Sequence, residues 1–169
     1  MGACFLREEQ GQTYYTDGTN VSDLYYYFEH VPFGIYLRDK STVTFTMARI
    51  HNDSIGNDSL YRIDMAFGLG EEVTPQEAGQ AVGGLSNYYR GGSAVEGVKA
   101  RDQCVYRSVW DNINVYFYRS KGGPRMAITV LPGGDPADIS LKFNGQDSIV
   151  VDWEGALRLY CLLYTSRCV

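Results

Sequence analysis

A chain of 169 residues with 44% apolar and 21% charged side chains has the length and composition of a single globular domain. Fourteen Tyr and seven Phe against four Met and two His, with nineteen Gly and five Pro as punctuation, point to strands and away from a helical bundle. A net charge of −5 without any Lys/Arg cluster argues against nucleic-acid partners, and the lack of an apolar run near the ~18 residues of a spanning helix argues against membrane insertion.

Met1 to Cys4 runs directly into a charged stretch, with no apolar signal core between them. From Leu24 the sequence reads as ten short β-type runs, over residues 24–28, 34–37, 43–50, 60–67, 104–109, 113–119, 125–131, 139–143, 149–152 and 156–160. Alternation is cleanest in Val43-Thr44-Phe45-Thr46-Met47-Ala48 and in Val115 and Phe117 against Tyr116 and Tyr118, which places one face of each strand in a core. Asp39-Lys40, Gly68-Leu69-Gly70, Lys121-Gly122-Gly123-Pro124 and Glu154-Gly155 supply breaks, and Asn144-Gly145 predicts a tight hairpin turn. Residues 71–100 are rich in Gly, Ala, Ser and Glu and read as a loop, with Thr74 as N-cap of a single helical turn begun by Pro75. The fold expected is all-β, an antiparallel β-sandwich formed by one domain over residues 5–160.

The sharpest turn signal is Leu131-Pro132-Gly133-Gly134-Asp135-Pro136-Ala137-Asp138-Ile139. Pro132 ends a ladder because it lacks an N–H, Gly133 and Gly134 allow positive φ, and Asp135 caps a turn whose first position Pro136 pre-sets. These residues read as a rigid structural turn. Asp135, Asp138 and Asp152 lack the ligand spacing of a calcium loop, so no metal is expected there.

Residues 161–169 change composition abruptly. One back-translation, TGT CTC TTA TAC ACA TCT followed by AGA TGT GTA TAA, is an inverted repeat centred between Ser166 and Arg167, and its first half resembles a transposase mosaic end used to tag sequencing libraries. The expectation is a non-native tail translated from an adaptor junction, behind a domain left incomplete at its C-terminus. Cys4 and Cys104 are then the native thiols; a hundred positions apart, they read as free, with a bridge between them as the alternative.

Little in the sequence spells out a chemistry. No nucleophile elbow is present, and His30 and His51 read as strand-end or turn residues, not general bases. Gly68-Leu69-Gly70 is followed by Glu71-Glu72, which repels phosphate, and no pair of carboxylates stands out for glycosidic cleavage. The expectation is therefore no enzyme, no cofactor, no catalytic residue and no metal ligand. Tyr25, Tyr26 and Tyr27, with Tyr14 and Tyr15, are the candidate aromatic contact surface for a glycan or a protein; the competing reading puts them in the core and in a cross-strand ladder.

Three stretches carry a resemblance: Asp23-Leu24-Tyr25-Tyr26-Tyr27-Phe28; then Ser86-Asn87-Tyr88-Tyr89 with Cys104-Val105-Tyr106 and Asn112-Ile113-Asn114-Val115-Tyr116-Phe117-Tyr118; and Pro124-Arg125-Met126-Ala127 through the Pro132 turn to Asn144-Gly145-Gln146-Asp147-Ser148-Ile149. Over residues 5–160 the chain resembles the N-terminal β-rich domain of large exported Bacteroidota proteins, whose later regions carry SBBP-type β-propeller repeats, immunoglobulin-like modules and a type IX secretion sorting domain. Phe5 with Gly11-Gln12 is a loose version of that family's opening element, while Asn114 stands where many members have Asp and Met126-Ala127-Ile128 where Tyr-Asp-Phe is common. The resemblance implies an extracellular or cell-surface location, partners among the other domains of the same polypeptide, and a non-catalytic structural, adhesive or interaction role. A carbohydrate-binding module of a secreted hydrolase is the alternative.

Overall fold

The structure is a computed structural model and describes residues 5–7, 12–13, 18–30, 32–49, 59–90 and 93–160. Its elements are β1 (Phe5–Arg7), β2 (Leu24–His30), β3 (Phe33–Arg38), β4 (Thr42–Arg49), β5 (Ser59–Gly68), β6 (Gln76–Ala81), β7 (Ser86–Arg90), β8 (Ser93–Val98), β9 (Ala100–Trp110), β10 (Ile113–Ser120), β11 (Gly123–Val130), a short 3₁₀ turn (Pro136–Asp138), β12 (Ser140–Asn144), β13 (Ser148–Val151) and β14 (Leu157–Tyr160). All ten predicted strands are present.

The main sheet is antiparallel and runs β11-β10-β9-β1-β2-β3-β4-β5-β12, with β6 also on β9. It folds on itself, so that β9 and β10 lie over β3, β4 and β5. Alternation makes this work: Tyr106, Val109, Trp110, Val115 and Phe117 from one half meet Leu37, Val43, Met65 and Phe67 from the other in a single buried cluster. Edge-on aromatic contacts cross the interface, Phe67 to Tyr106 at 5.2 Å and Phe67 to Trp110 at 5.7 Å between ring centroids. Tyr106 and Trp110 also satisfy their polar atoms across the layers. The Tyr106 hydroxyl donates toward the carbonyl oxygens of Arg38 and Thr42, 2.8 and 2.9 Å away, and Trp110 Nε1 donates to the Gly68 carbonyl at 2.9 Å. The result is an all-β antiparallel sandwich.

The segment 131–139 carries the chain from β11 in one layer to β12 beside β5 in the other. Asp135 accepts from the Ala137 amide at 2.9 Å, Pro136 opens the 3₁₀ turn, and Gly133 has φ +94°. Gly134 serves differently from expectation: it uses no positive φ but packs where a Cβ would stand 3.0 Å from the Asp111 and Asn112 carbonyl oxygens.

Two local expectations are corrected. Residues 71–100 hold β6, β7 and β8, and no helical turn starts at Pro75. The Ser41 hydroxyl donates to the Glu71 carbonyl at 2.5 Å and accepts from the Val73 amide at 2.9 Å, which draws this stretch out straight and hands it to β9 as β6. Asn144-Gly145 does not join a hairpin, because β12 pairs with β5 and β13 with β14. Gly145, at φ +94°, instead turns the chain hard against the Arg62 carbonyl.

Candidate functional site

The structure divides the three candidate tyrosines. A register shift between Leu24 and Tyr26 breaks the simple alternation of β2. Tyr26 enters the core at 4% exposure, Tyr27 is buried at 5% with its hydroxyl donating to Gln12 Oε1 at 2.8 Å, and Tyr25 alone stays at the surface, 39% exposed. The expected contact surface of Tyr25, Tyr26 and Tyr27 is thus corrected to one residue, since the bulge and the core claim the other two. Burial pushes the Tyr26 hydroxyl up to about 12, so it is a neutral phenol at any physiological pH. Tyr14, Tyr15, His51, Cys4, Cys161 and Cys168, and the whole of 161–169, lie outside the described residues.

Other polar groups hold the fold. Cys104 is a free thiol, fully buried, and burial raises its pKa far above the usual thiol range, which makes it unreactive. Asn114, 6% exposed, accepts from the Ser108 amide at 2.8 Å and clamps the register shift between β9 and β10, where Ser108 has φ +50°. Asp152 accepts from the Glu154 and Ala156 amides at 3.0 and 2.9 Å and from Arg158 Nε at 2.7 Å. The Arg158 guanidinium, then those amides, hold its carboxyl below the usual carboxylate range. This organising effect is complete above the unfolded pKa and is lost as pH falls through the lowered folded one.

Two concavities lie at opposite ends of β10. The smaller, about 360 Å³, is lined by Leu69, Gly70, Trp110, Asp111 and Asp138 among others. Among the described residues no group of three or more His, Cys, Asp or Glu is placed to hold a metal ion. The larger, about 810 Å³, opens between the ends of β2, β3 and β4 and the β10–β11 turn, with His30 on its wall.

Among the described residues the β13–β14 hairpin is an exposed apolar element, and it forms a sheet of its own. Ile149 pairs with Leu159 and Val151 with Leu157, so these four side chains share one face. Val151 is 65% and Leu157 47% exposed, and Trp153 in the connecting turn is 91% exposed. The alternation that creates this face was readable in the sequence; its lack of a cover within the described residues was not.

With this geometry in place, the comparison with known families is decisive on one point: a model described as a domain of unknown function, DUF7948, matches residues 7–165. The chain belongs to the DUF7948 family. No curated protein and no solved structure matches it. The DUF7948 match takes in every strand from β2 to β14, so the apolar hairpin is part of what the family model describes.

Proposed function

We propose that this DUF7948 domain is a non-catalytic structural or adhesive interaction domain of a large secreted or cell-surface protein, of the Bacteroidota kind with SBBP-type repeats and type IX secretion that its sequence resembles. The observation that carries the reading is the β13–β14 face. A two-stranded hairpin is marginal by itself in water, and four aliphatic side chains aligned on one side of it need a cover. The occupant proposed is another domain of the same polypeptide, in keeping with the resemblance and with the hairpin lying inside the family match. The engagement of Asp135, Asn114 and Asp152 in caps, clamps and turns also supports a scaffold over a catalyst. The carbohydrate-binding alternative has lost two of the three rings it rested on.

Expressed alone, the 169-residue chain is expected to self-associate without fixed stoichiometry through this face. The double substitution Val151→Glu with Leu157→Lys, made on opposed exposed positions, is expected to give a monodisperse monomer with an unchanged melting temperature. Sedimentation velocity checks both. A wild-type chain that is already a monodisperse monomer contradicts the proposal, and a discrete wild-type dimer abolished by the substitutions transfers the face to a second copy of the chain and contradicts it equally.

A further inference from the structure

The margins of the main sheet are not protected alike. Among the described residues it ends on β11 and β12, and β6 lies as a third margin on β9. β12 is five residues long with Lys142 at its middle, and β6 carries Glu77 and a register shift between Ala78 and Ala81, features that discourage a further strand. β11 has neither. It pairs with β10 over consecutive positions without a bulge, from Ile113 opposite Val130 to Ser120 opposite Gly123, and its one charged residue is Arg125.

The Leu131 amide donates to the Asn112 carbonyl at 2.8 Å, and these two residues continue the β10–β11 register by one step. That bond fixes the phase of the ladder, because in an antiparallel pair residues that exchange bonds alternate with residues that do not. Arg125, Ala127 and Thr129 therefore bond to β10, while Met126, Ile128 and Val130 turn their N–H and C=O groups to the outside. Pro124 falls in the outward set, where its missing N–H costs β10 nothing. The side chains of the same set continue the core face. Met126, Ile128 and Val130 lie opposite the buried Phe117, Val115 and Ile113, yet Met126 and Val130 are themselves 38% and 39% exposed.

Donors and acceptors that recur about 6.8 Å apart along an edge fit one kind of partner, another extended backbone. Residues 119–134 contain no Asp or Glu, and Lys121 and Arg125 are exposed where β11 begins, so this end of the edge is basic in a chain of net charge −5. We propose that β11 takes up an extended peptide segment as an added antiparallel strand, with aliphatic residues at every second position beside Met126, Ile128 and Val130 and a carboxylate near its C-terminal end against Arg125. A second β11 is a poorer occupant: paired antiparallel about Ile128, it sets Leu131 opposite Arg125 and has no acidic residue to offer. The inference goes beyond the hairpin reading and does not use the β13–β14 face.

The probe is an acetylated, amidated peptide, Thr-Val-Thr-Val-Thr-Val-Glu, N-methylated at its threonines so that the edge turned away from β11 cannot pair. It is titrated into the isotope-labelled 169-residue chain carrying Val151→Glu and Leu157→Lys, with detection by nuclear magnetic resonance. Saturable one-to-one binding is expected, with amide exchange slowed at Met126, Ile128 and Val130, whose N–H groups gain acceptors. Moving the methyl groups to the valines blocks the bonded edge and is expected to weaken binding about ten-fold or more, and exchanging the peptide's Glu for Lys about two- to five-fold. Met126→Pro removes one outward N–H at an exposed position and is expected to weaken binding about ten-fold with melting little changed. If that variant melts early, the two methylated peptides make the same test on the unaltered edge. Absence of saturable binding, equal binding of the two methylated peptides, or equal binding of the Glu and Lys peptides overturns the proposal. A protein dimer that the peptide dissociates gives the edge to a second copy and overturns it equally. The hairpin reading stands or falls separately, because its face is already removed from the titrated protein.

Discussion

Replacing Trp110 by alanine is expected to cost about 3–5 kcal/mol, as for other large aromatic truncations in a core, and so to consume much of the ~5–15 kcal/mol that stabilises a domain. The ring is 4% exposed, sits edge-on to Phe67 and belongs to the cluster shared by both layers. Its Nε1 also satisfies the Gly68 carbonyl at the end of β5, and truncation leaves that oxygen without its donor. Trp110→Phe keeps one aromatic ring and loses the donor and part of the buried volume, so its cost should fall below that of alanine. Urea unfolding of the three proteins checks the order. A loss under about 1 kcal/mol for Trp110→Ala would mean that the layers do not close on this residue.

The second large effect is expected at Gly70, where the chain leaving β5 passes β9. A Cβ there would stand 2.4 Å from the Val109 carbonyl oxygen, a backbone atom that already accepts from the Glu71 amide at 2.8 Å. Neither side has a flexible group to give way. Gly70→Ala should therefore destabilise by about 1–3 kcal/mol, the range seen for overpacking. Gly84, between β6 and β7, is the internal control: a Cβ at that position meets nothing within 4 Å, and its φ is not in the left-handed region. Gly84→Ala should be neutral or stabilising by about 0.4–1 kcal/mol, through the entropy of the unfolded chain. Parallel thermal melts separate the two, and equal behaviour would refute the close approach of β5 and β9.

Strands such as β4 and β10 were legible because period-two alternation is a local signal and their inner residues are Val, Phe and Met. β6 was not. Its residues Gln76–Ala81 are nearly all exposed and carry no alternation; they are a strand because β9 offers an edge and because Ser41, more than thirty positions earlier, straightens the approach. The same distance effect explains Asn144-Gly145, where the composition of a tight turn is used to leave β5's neighbour instead of to pair β12 with β13.

The site followed the same division. Three consecutive tyrosines look alike in a sequence, and only the bulge at Leu24 and Tyr26 decides that Tyr26 and Tyr27 are buried while Tyr25 is not. In the turn from Pro132 to Pro136, Pro132, Gly133, Asp135 and Pro136 were readable because each acts within its own neighbourhood, whereas the role of Gly134 depends on the distant Asp111 and Asn112 carbonyls. The mouth of the sandwich was not readable at all, since it joins Phe33 and Phe45 to Arg119 and Lys121 from opposite layers.

The role proposed for the β13–β14 face is contact with another part of the same polypeptide. Hydroxyl-radical footprinting at Trp153, Leu157 and Val151, in the 169-residue chain alone and in the longer secreted polypeptide that the proposal calls for, decides it. Strong labelling of all three in the 169-residue chain and marked protection in that longer polypeptide is the result predicted. Equal labelling in the two would contradict it and return the hairpin to an uncovered appendage of the fold.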